Sequence, residues 1–147
     1  MLSEKEIARY SRHLLLPEIG KVGQEKLKKS KVLVIGAGGL GCPVLMYLVA
    51  AGVGKIGIVD FDTVDESNLQ RQVLYDINDV GKSKSDIAKQ KLSKQNPLIG
   101  IESINKKLTT QNALEIFSRY NIIVDGTDNF STRYMVNDSC VLLEKTL

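Results

Sequence analysis

The run Gly36-Ala37-Gly38-Gly39-Leu40-Gly41 follows a short apolar stretch, Val32–Ile35, and leads into the almost wholly apolar segment Leu40–Ala51. Four glycines at that spacing let a chain turn sharply from a strand into a helix. They also let a phosphate approach the bare amides at the helix N-terminus. Asp60 ends the next apolar run, Ile56–Val59, at the distance where a carboxylate meets a ribose hydroxyl. Gly36, Gly38, Gly39, Gly41 and Asp60 therefore mark a nucleotide site. They do not say which nucleotide, because dehydrogenases, methyltransferases and ATP users all build such turns.

The segment Ser67-Asn68-Leu69-Gln70-Arg71-Gln72 narrows the choice. A triphosphate needs several cations, and the Arg71 guanidinium is a planar fork for two phosphate oxygens. The plainer alternative is loop capping by Asn68 and a surface ion pair from Arg71 to Asp65 or Glu66. Lys84 stands at the start of a helix, in Gly81-Lys82-Ser83-Lys84-Ser85, where a cation opposes the helix dipole unless an anion offsets it. A bound phosphate would be such an anion, although Lys82, Lys89 and Lys91 also fit an ordinary lysine-rich face. Asp125-Gly126-Thr127-Asp128-Asn129 follows another apolar run, at the carboxyl end of a strand where open α/β sheets put ligands. Asp128 is the candidate metal ligand, since Mg²⁺ takes one or two carboxylates together with phosphate oxygens and water. Asn129 is a helix N-cap or a nucleotide contact.

Other chemistries lack their parts. His13 is the one histidine, beside Arg12 at a helix end with no nucleophile motif nearby, and solvent-exposed packing is its expected role. Cys42 and Cys140 are far apart and in no C-x-x-C pair, so neither a disulfide framework nor a zinc cluster is expected. Both sit in apolar helical surroundings, as small buried hydrophobes do.

The elements that must position these residues alternate. A capping box at Ser3–Glu6 begins a helix running toward Arg12, and Gln24–Ser30 forms a second, giving a helical arm over residues 1–30. Strands follow at Val32–Ile35, Ile56–Val59, Ile99–Ile104 and Asn121–Asp125, with helices at Leu40–Ala51, Ser83–Gln95, Asn112–Tyr120 and Thr132–Glu144. Such alternation predicts an α/β, Rossmann-like doubly wound domain over 31–147, with a mostly parallel sheet in the order 3-2-1-4. A fifth strand is expected just where the sequence stops at Leu147. The sheet would then keep an unpaired edge and a tendency to associate.

The chain has 147 residues, 43% of them hydrophobic, enough for one core, and a formal net charge of +3. Its lysine runs, Lys26–Lys31, Lys82–Lys94 and Lys106–Lys107, lack the interleaved aromatics or concentrated stripe of a nucleic-acid surface. No apolar run is long enough for a membrane helix and no signal peptide opens the chain, so a cytoplasmic location is expected.

Arg9-Tyr10-Ser11-Arg12, Val34–Gly41, Val59–Asp62, Ser67–Gln72, Lys84 and Asp125–Asn129, in this order and spacing, closely resemble one family. It comprises the MoeB/ThiF adenylyltransferases of molybdopterin and thiamine biosynthesis, relatives of the ubiquitin-activating enzymes. The resemblance implies a homodimer that binds ATP and Mg²⁺ and adenylates the C-terminal glycine of a ubiquitin-like sulfur-carrier protein ending in Gly-Gly. On that resemblance Gly39 and its neighbours pack on the nucleotide and Asp60 holds the ribose. The Ser67, Asn68, Leu69, Gln70 and Arg71 segment and Lys84 line the phosphates, and Asp128 binds the metal. Arg12 matches an arginine that reaches a phosphate from the other subunit. Family members continue beyond this point with a carrier groove, and in some with zinc ligands or a thioester-forming cysteine. Neither zinc nor a catalytic cysteine is implied for this chain. An NAD-dependent oxidoreductase and a non-catalytic dimeric partner are the competing expectations.

Overall fold

The computed structural model describes residues 1–147. Four parallel strands, β1 (Lys31–Ile35), β2 (Lys55–Val59), β3 (Gly100–Ile104) and β4 (Ile122–Asp125), form one sheet in the order β3-β2-β1-β4. Its register sets Val34 beside Ile58 and Val124, and Ile35 beside Val59 and Asp125. The carboxyl ends of β1, β2 and β4 therefore lie level, and the glycine turn, Asp60 and the Asp125 turn emerge side by side.

Alternating side chains of β1 feed two cores. Val32 and Val34 pack with Leu45, Val49, Ile87 and Leu92 under α4 (Gly41–Ala51) and α5 (Lys84–Gln95). Leu33 and Ile35 pack with Phe117, Ile123, Val136 and Cys140 under α6 (Ala113–Ser118) and α7 (Phe130–Leu142). A sheet apolar on both faces needs helices on both, and this one has them. Cys42 and Cys140 are free and buried, and burial raises both thiols above their ordinary value.

The arm differs from its expected shape. The first helix is broken at Tyr10 into α1 (Glu4–Arg9) and α2 (Ser11–Leu14), and the next, α3, spans Gly20–Lys29. The break follows from tertiary contacts. Tyr10 is buried, its hydroxyl accepts a 2.9 Å bond from Asn96 Nδ2, and its ring fills the space beside Gly52. A Cβ on Gly52 would lie 2.4 Å from that ring, and Gly52 has the positive φ (85°) of a helix-ending glycine. His13 is not a free surface group. It is half-buried, stacks on Tyr10, and its Nδ1 lies 2.8 Å from Gln24 Oε1, while Gln24 Nε2 donates to Ala51 O at 2.9 Å. The arm is thus latched to the end of α4.

The outer edge of β4 is not entirely bare. Thr146 bridges in parallel to Ile122, and Ile123 N donates to Thr146 O at 2.9 Å. α7 begins at Phe130, two residues earlier than its apolar spacing indicates, because Asn129 caps it.

Candidate functional site

A cavity of about 810 Å³ opens over the carboxyl ends of the strands. Its floor is the glycine turn. Gly36 leaves β1 with a φ of 88° and donates its N–H to Val59 O at 2.8 Å. The start of α4 then packs so closely that a Cβ on Gly41 would lie 1.9 Å from Gly36 O. Gly41 is therefore buried structural glycine behind the wall, whereas Gly36, Gly38 and Gly39 line the cavity.

Asp60 lines the cavity and braces the turn. Oδ2 accepts from Ala37 N at 2.7 Å and Oδ1 from Asp62 N at 2.8 Å. Burial pushes its carboxyl above the ordinary value, with the two amides pulling the other way. A carboxylate fixed by two backbone donors keeps further lone pairs for a hydroxyl donor.

Four more candidate residues reach the wall. Arg71 forms no ion pair with Asp65 or Glu66; Asp65 instead accepts from Ser67 N at 2.8 Å and from the Ser67 hydroxyl. The Arg71 side chain lies along Gly39, its Cδ 3.4 Å from where a Cβ would stand. Lys84, the first residue of α5, is buried, with Nζ 3.4 Å from Asp62 Oδ2. Asp62 is thus one anion that offsets its place at the helix N-terminus. Asp128 is exposed on the cavity rim. Its neighbour Asp125 is committed to the turn, accepting from Thr127 N at 2.8 Å and Thr127 Oγ1 at 2.7 Å. Asn129 both lines the cavity and caps α7, its Oδ1 accepting from Thr132 N at 2.8 Å.

Five candidates are not in the wall besides Gly41: Ser67, Asn68, Leu69 and Gln70, and Arg12, which is exposed on α2. The first four form a tight turn whose service is indirect, since Asn68 O accepts from Arg71 N at 3.1 Å and Gln72 N at 2.9 Å. The cavity also holds residues that the sequence pattern does not single out. Gln72 is buried in its wall, and Phe61, Asp62, Lys106, Lys107 and Leu108 line one side, with Lys107 Nζ 5.8 Å over the Phe61 ring. In sequence Lys106 and Lys107 are legible only as a basic run; the signal that could find them is their position just beyond β3, beside the end of β2.

The cavity therefore combines bare amides with four cations, Arg71, Lys84, Lys106 and Lys107, against three carboxylates. That balance suits a polyanion. No cluster of three acidic, histidine or cysteine side chains can hold a metal by itself. Asp128, a cavity carboxylate without a hydrogen bond to the chain, fits a Mg²⁺ whose remaining ligands are phosphate oxygens and water.

The ThiF family matches residues 10–147. The chain belongs to the ThiF family. This ThiF-family chain is 58% identical over 144 residues to a probable adenylyltransferase/sulfurtransferase MoeZ of Mycobacterium tuberculosis, covering 98% of this chain and 37% of that protein. It is 53% identical over 145 residues to the sulfur carrier protein adenylyltransferase of Thermus thermophilus, covering 99% of this chain and 54% of that protein. Among solved structures, E. coli MccB with ATP is similar at a TM-score of 0.84 and 33% identity, over 97% of this chain and 44% of that one. E. coli tRNA N6-threonylcarbamoyladenosine dehydratase, TcdA, in complex with ATP superposes at 0.94 over 100% of this chain and 60% of that one. At 22% identity this last likeness speaks for the fold alone. The chain spans 37% and 54% of the length of the two curated relatives above. No helix is long and apolar enough to cross a membrane.

Proposed function

We propose that this chain is the ATP-binding part of an adenylyltransferase that activates the C-terminal glycine of a Gly-Gly-ended, ubiquitin-like sulfur carrier, in molybdopterin or thiamine biosynthesis. The observation that carries the reading is the convergence of Arg71 and Lys84 on the cavity floored by the glycine turn, the guanidinium without an acidic partner and the ammonium with one long contact. The names of the curated relatives support the same reaction class.

Adenylation asks little covalent chemistry of the protein. The attacking carboxylate is already ionised at neutral pH, so no general base is needed, and the lone His13, latched to Gln24, is not required to be one. What the reaction needs is alignment at the α-phosphorus and neutralisation of charge on the departing pyrophosphate. In this reading Asp60 holds the ribose, the amides of the glycine turn take phosphate oxygens, and Arg71 and Lys84 answer the charge of the leaving group. Asp128 would hold Mg²⁺, which would add positive charge to the same task. Arg12, outside its own cavity, would serve the site of a second subunit in a homodimer.

ATP–pyrophosphate exchange by the full-length protein tests this. Exchange should require Mg²⁺ and a Gly-Gly-ended carrier, and should collapse in Arg71→Ala and Asp128→Ala. Undiminished exchange in both variants would remove the assigned roles. Tight binding of NADH with indifference to ATP would favour an oxidoreductase instead, for which Arg71 and Lys84 in the cavity have no evident use.

A further inference from the structure

Two side chains grip one carbonyl of the glycine turn from inside the core. The Tyr75 hydroxyl donates to Ala37 O at 2.8 Å, and Cys42 Sγ reaches the same oxygen at 3.3 Å. Tyr75 is 6% exposed and Ala37 is fully buried. Burial pushes the phenol above its ordinary value, so it stays protonated and remains a donor. Lys84 O also lies 3.3 Å from the hydroxyl, but a single proton serves one short bond, and Ala37 has the shorter. Neither Tyr75 nor Cys42 lines the cavity.

What the grip does follows from the peptide unit. A planar trans peptide points its carbonyl and the next residue's N–H in opposite directions, and no peptide bond in the chain is cis. With Ala37 O drawn into the core, the Gly38 N–H is turned to the other side, where Gly38 lines the cavity. That N–H has no partner within the chain. A backbone donor seldom goes without an acceptor, and a bound oxyanion supplies one. The preceding peptide is held differently, Ala37 N donating to Asp60 Oδ2 at 2.7 Å. The carboxylate therefore fixes one side of Ala37 and the phenol the other.

We infer that Tyr75 is a positioning residue of the nucleotide site: through Ala37 O, its hydroxyl aims the Gly38 N–H at a phosphate oxygen. The inference rests on the ATP site proposed above. Without the hydroxyl, the Ala37–Gly38 peptide is free to rotate about its flanking bonds. Gly38 offers little resistance, because no Cβ restricts its backbone. A turn bare enough to admit a phosphate thus needs an outside clamp, and the Cys42 thiol, a weak donor, is a poor one by itself.

Calorimetric titration of the full-length protein with ATP and with adenosine tests this in wild type, Tyr75→Phe and Ile116→Val, alongside the ligand-free Tm of each. Tyr75→Phe keeps the ring and removes only the hydroxyl. It should bind ATP about fivefold more weakly, the worth of one hydrogen bond, and adenosine as wild type does. Ile116→Val, in the core on the other face of the sheet, should lower Tm with no change toward either ligand. The same factor for ATP should persist when Tyr75→Phe is placed in a Lys84→Met background. Loss of the factor there would route the effect through Lys84 and overturn the assignment to Gly38. Unchanged ATP affinity in Tyr75→Phe, or equal weakening of ATP and adenosine, would make the phenol a structural group and overturn it as well. A wild-type protein that binds no ATP would sink the nucleotide reading itself, and this inference with it.

Discussion

Lys84 Nζ stands 3.4 Å from Asp62 Oδ2, the lysine side chain 7% exposed and the carboxylate 55% exposed. The cation is thus the buried member of the pair and its partner faces water. An ammonium has three donors, and this one long contact leaves capacity for an incoming phosphate. Removing the carboxylate should therefore act in opposite directions on the ligand-free and loaded states. Asp62→Asn is expected to lower the ligand-free Tm, because a buried charge loses its partner. It should also enlarge the rise in Tm on adding ATP, since phosphate then compensates more. Lys84→Met should abolish most of that rise. Thermal melts with and without ATP read both effects, and a smaller ATP response in Asp62→Asn would contradict the account.

The glycines of the turn divide into a structural and a ligand-facing set. A methyl group added at Gly41 would meet backbone, Gly36 O at 1.9 Å, which cannot yield without moving the start of α4 from β1. Gly41→Ala should cost about 3 kcal/mol, the upper end of ordinary overpacking. Gly39→Ala meets only the flexible Arg71 side chain at 3.4 Å, and should leave stability nearly unchanged. It should weaken ATP nonetheless, by putting a methyl where a phosphate approaches. Urea unfolding and ATP titration of the two variants should therefore give opposite patterns.

The legibility of the fold in the sequence depends on how local each determinant is. β1 and β2 are apolar runs bounded by polar or glycine residues, and each is legible to within one residue. The sheet order β3-β2-β1-β4 is the one that right-handed crossovers give when the sheet is doubly wound. The break at Tyr10 is invisible in sequence because its cause lies across the chain, in Gly52 and Asn96. Phe130, 72% exposed, carries no core periodicity, so apolar spacing places the start of α7 late.

The site divides the same way. Gly36, Gly38, Gly39, Asp60, Arg71, Lys84, Asp128 and Asn129 all reach one cavity, since strand ends that lie level collect whatever follows them. Ser67–Gln70 share the motif but not the wall, because a tight turn carries them past it and presents only Arg71 and Gln72. Gln72 is legible in sequence only as the last residue of the Ser67–Gln72 segment; its burial in the wall is a tertiary fact.

The arm carries an acid-sensitive joint. Glu6 is held below its ordinary value of 4.5 chiefly by the hydrogen bond from Lys28, 2.8 Å away, and then by the N–H of Ser3. An acid whose folded value is depressed stabilises the fold fully above the ordinary value, and loses that contribution as pH falls through the folded one. The melting temperature of wild type should therefore exceed that of Glu6→Gln near neutrality, and the gap should narrow below pH 4.5. Melts between about pH 3 and about pH 7 would show it. A gap that stays constant down to the acid end would assign the effect to shape rather than charge.

Arg12 poses the sharpest question about assembly. It is exposed on α2 and absent from its own cavity wall, yet its neighbours hold it in place, Tyr10 beneath Gly52 and His13 against Gln24. A well-placed cation with no task at home is what a two-fold dimer would lend to its neighbour. Arg12→Ala and Arg71→Ala homodimers of the full-length protein should then each be inactive in pyrophosphate exchange. In a mixed dimer, the Arg12→Ala subunit keeps its own Arg71 and receives Arg12 from its partner, so one intact site reappears. Random reassortment of equal amounts should restore about a quarter of the sites, since half the dimers are mixed and each regains one of two. Recovery to that level fixes Arg12 as a donor in trans. No recovery, after subunit exchange has been verified, rules out donation in trans.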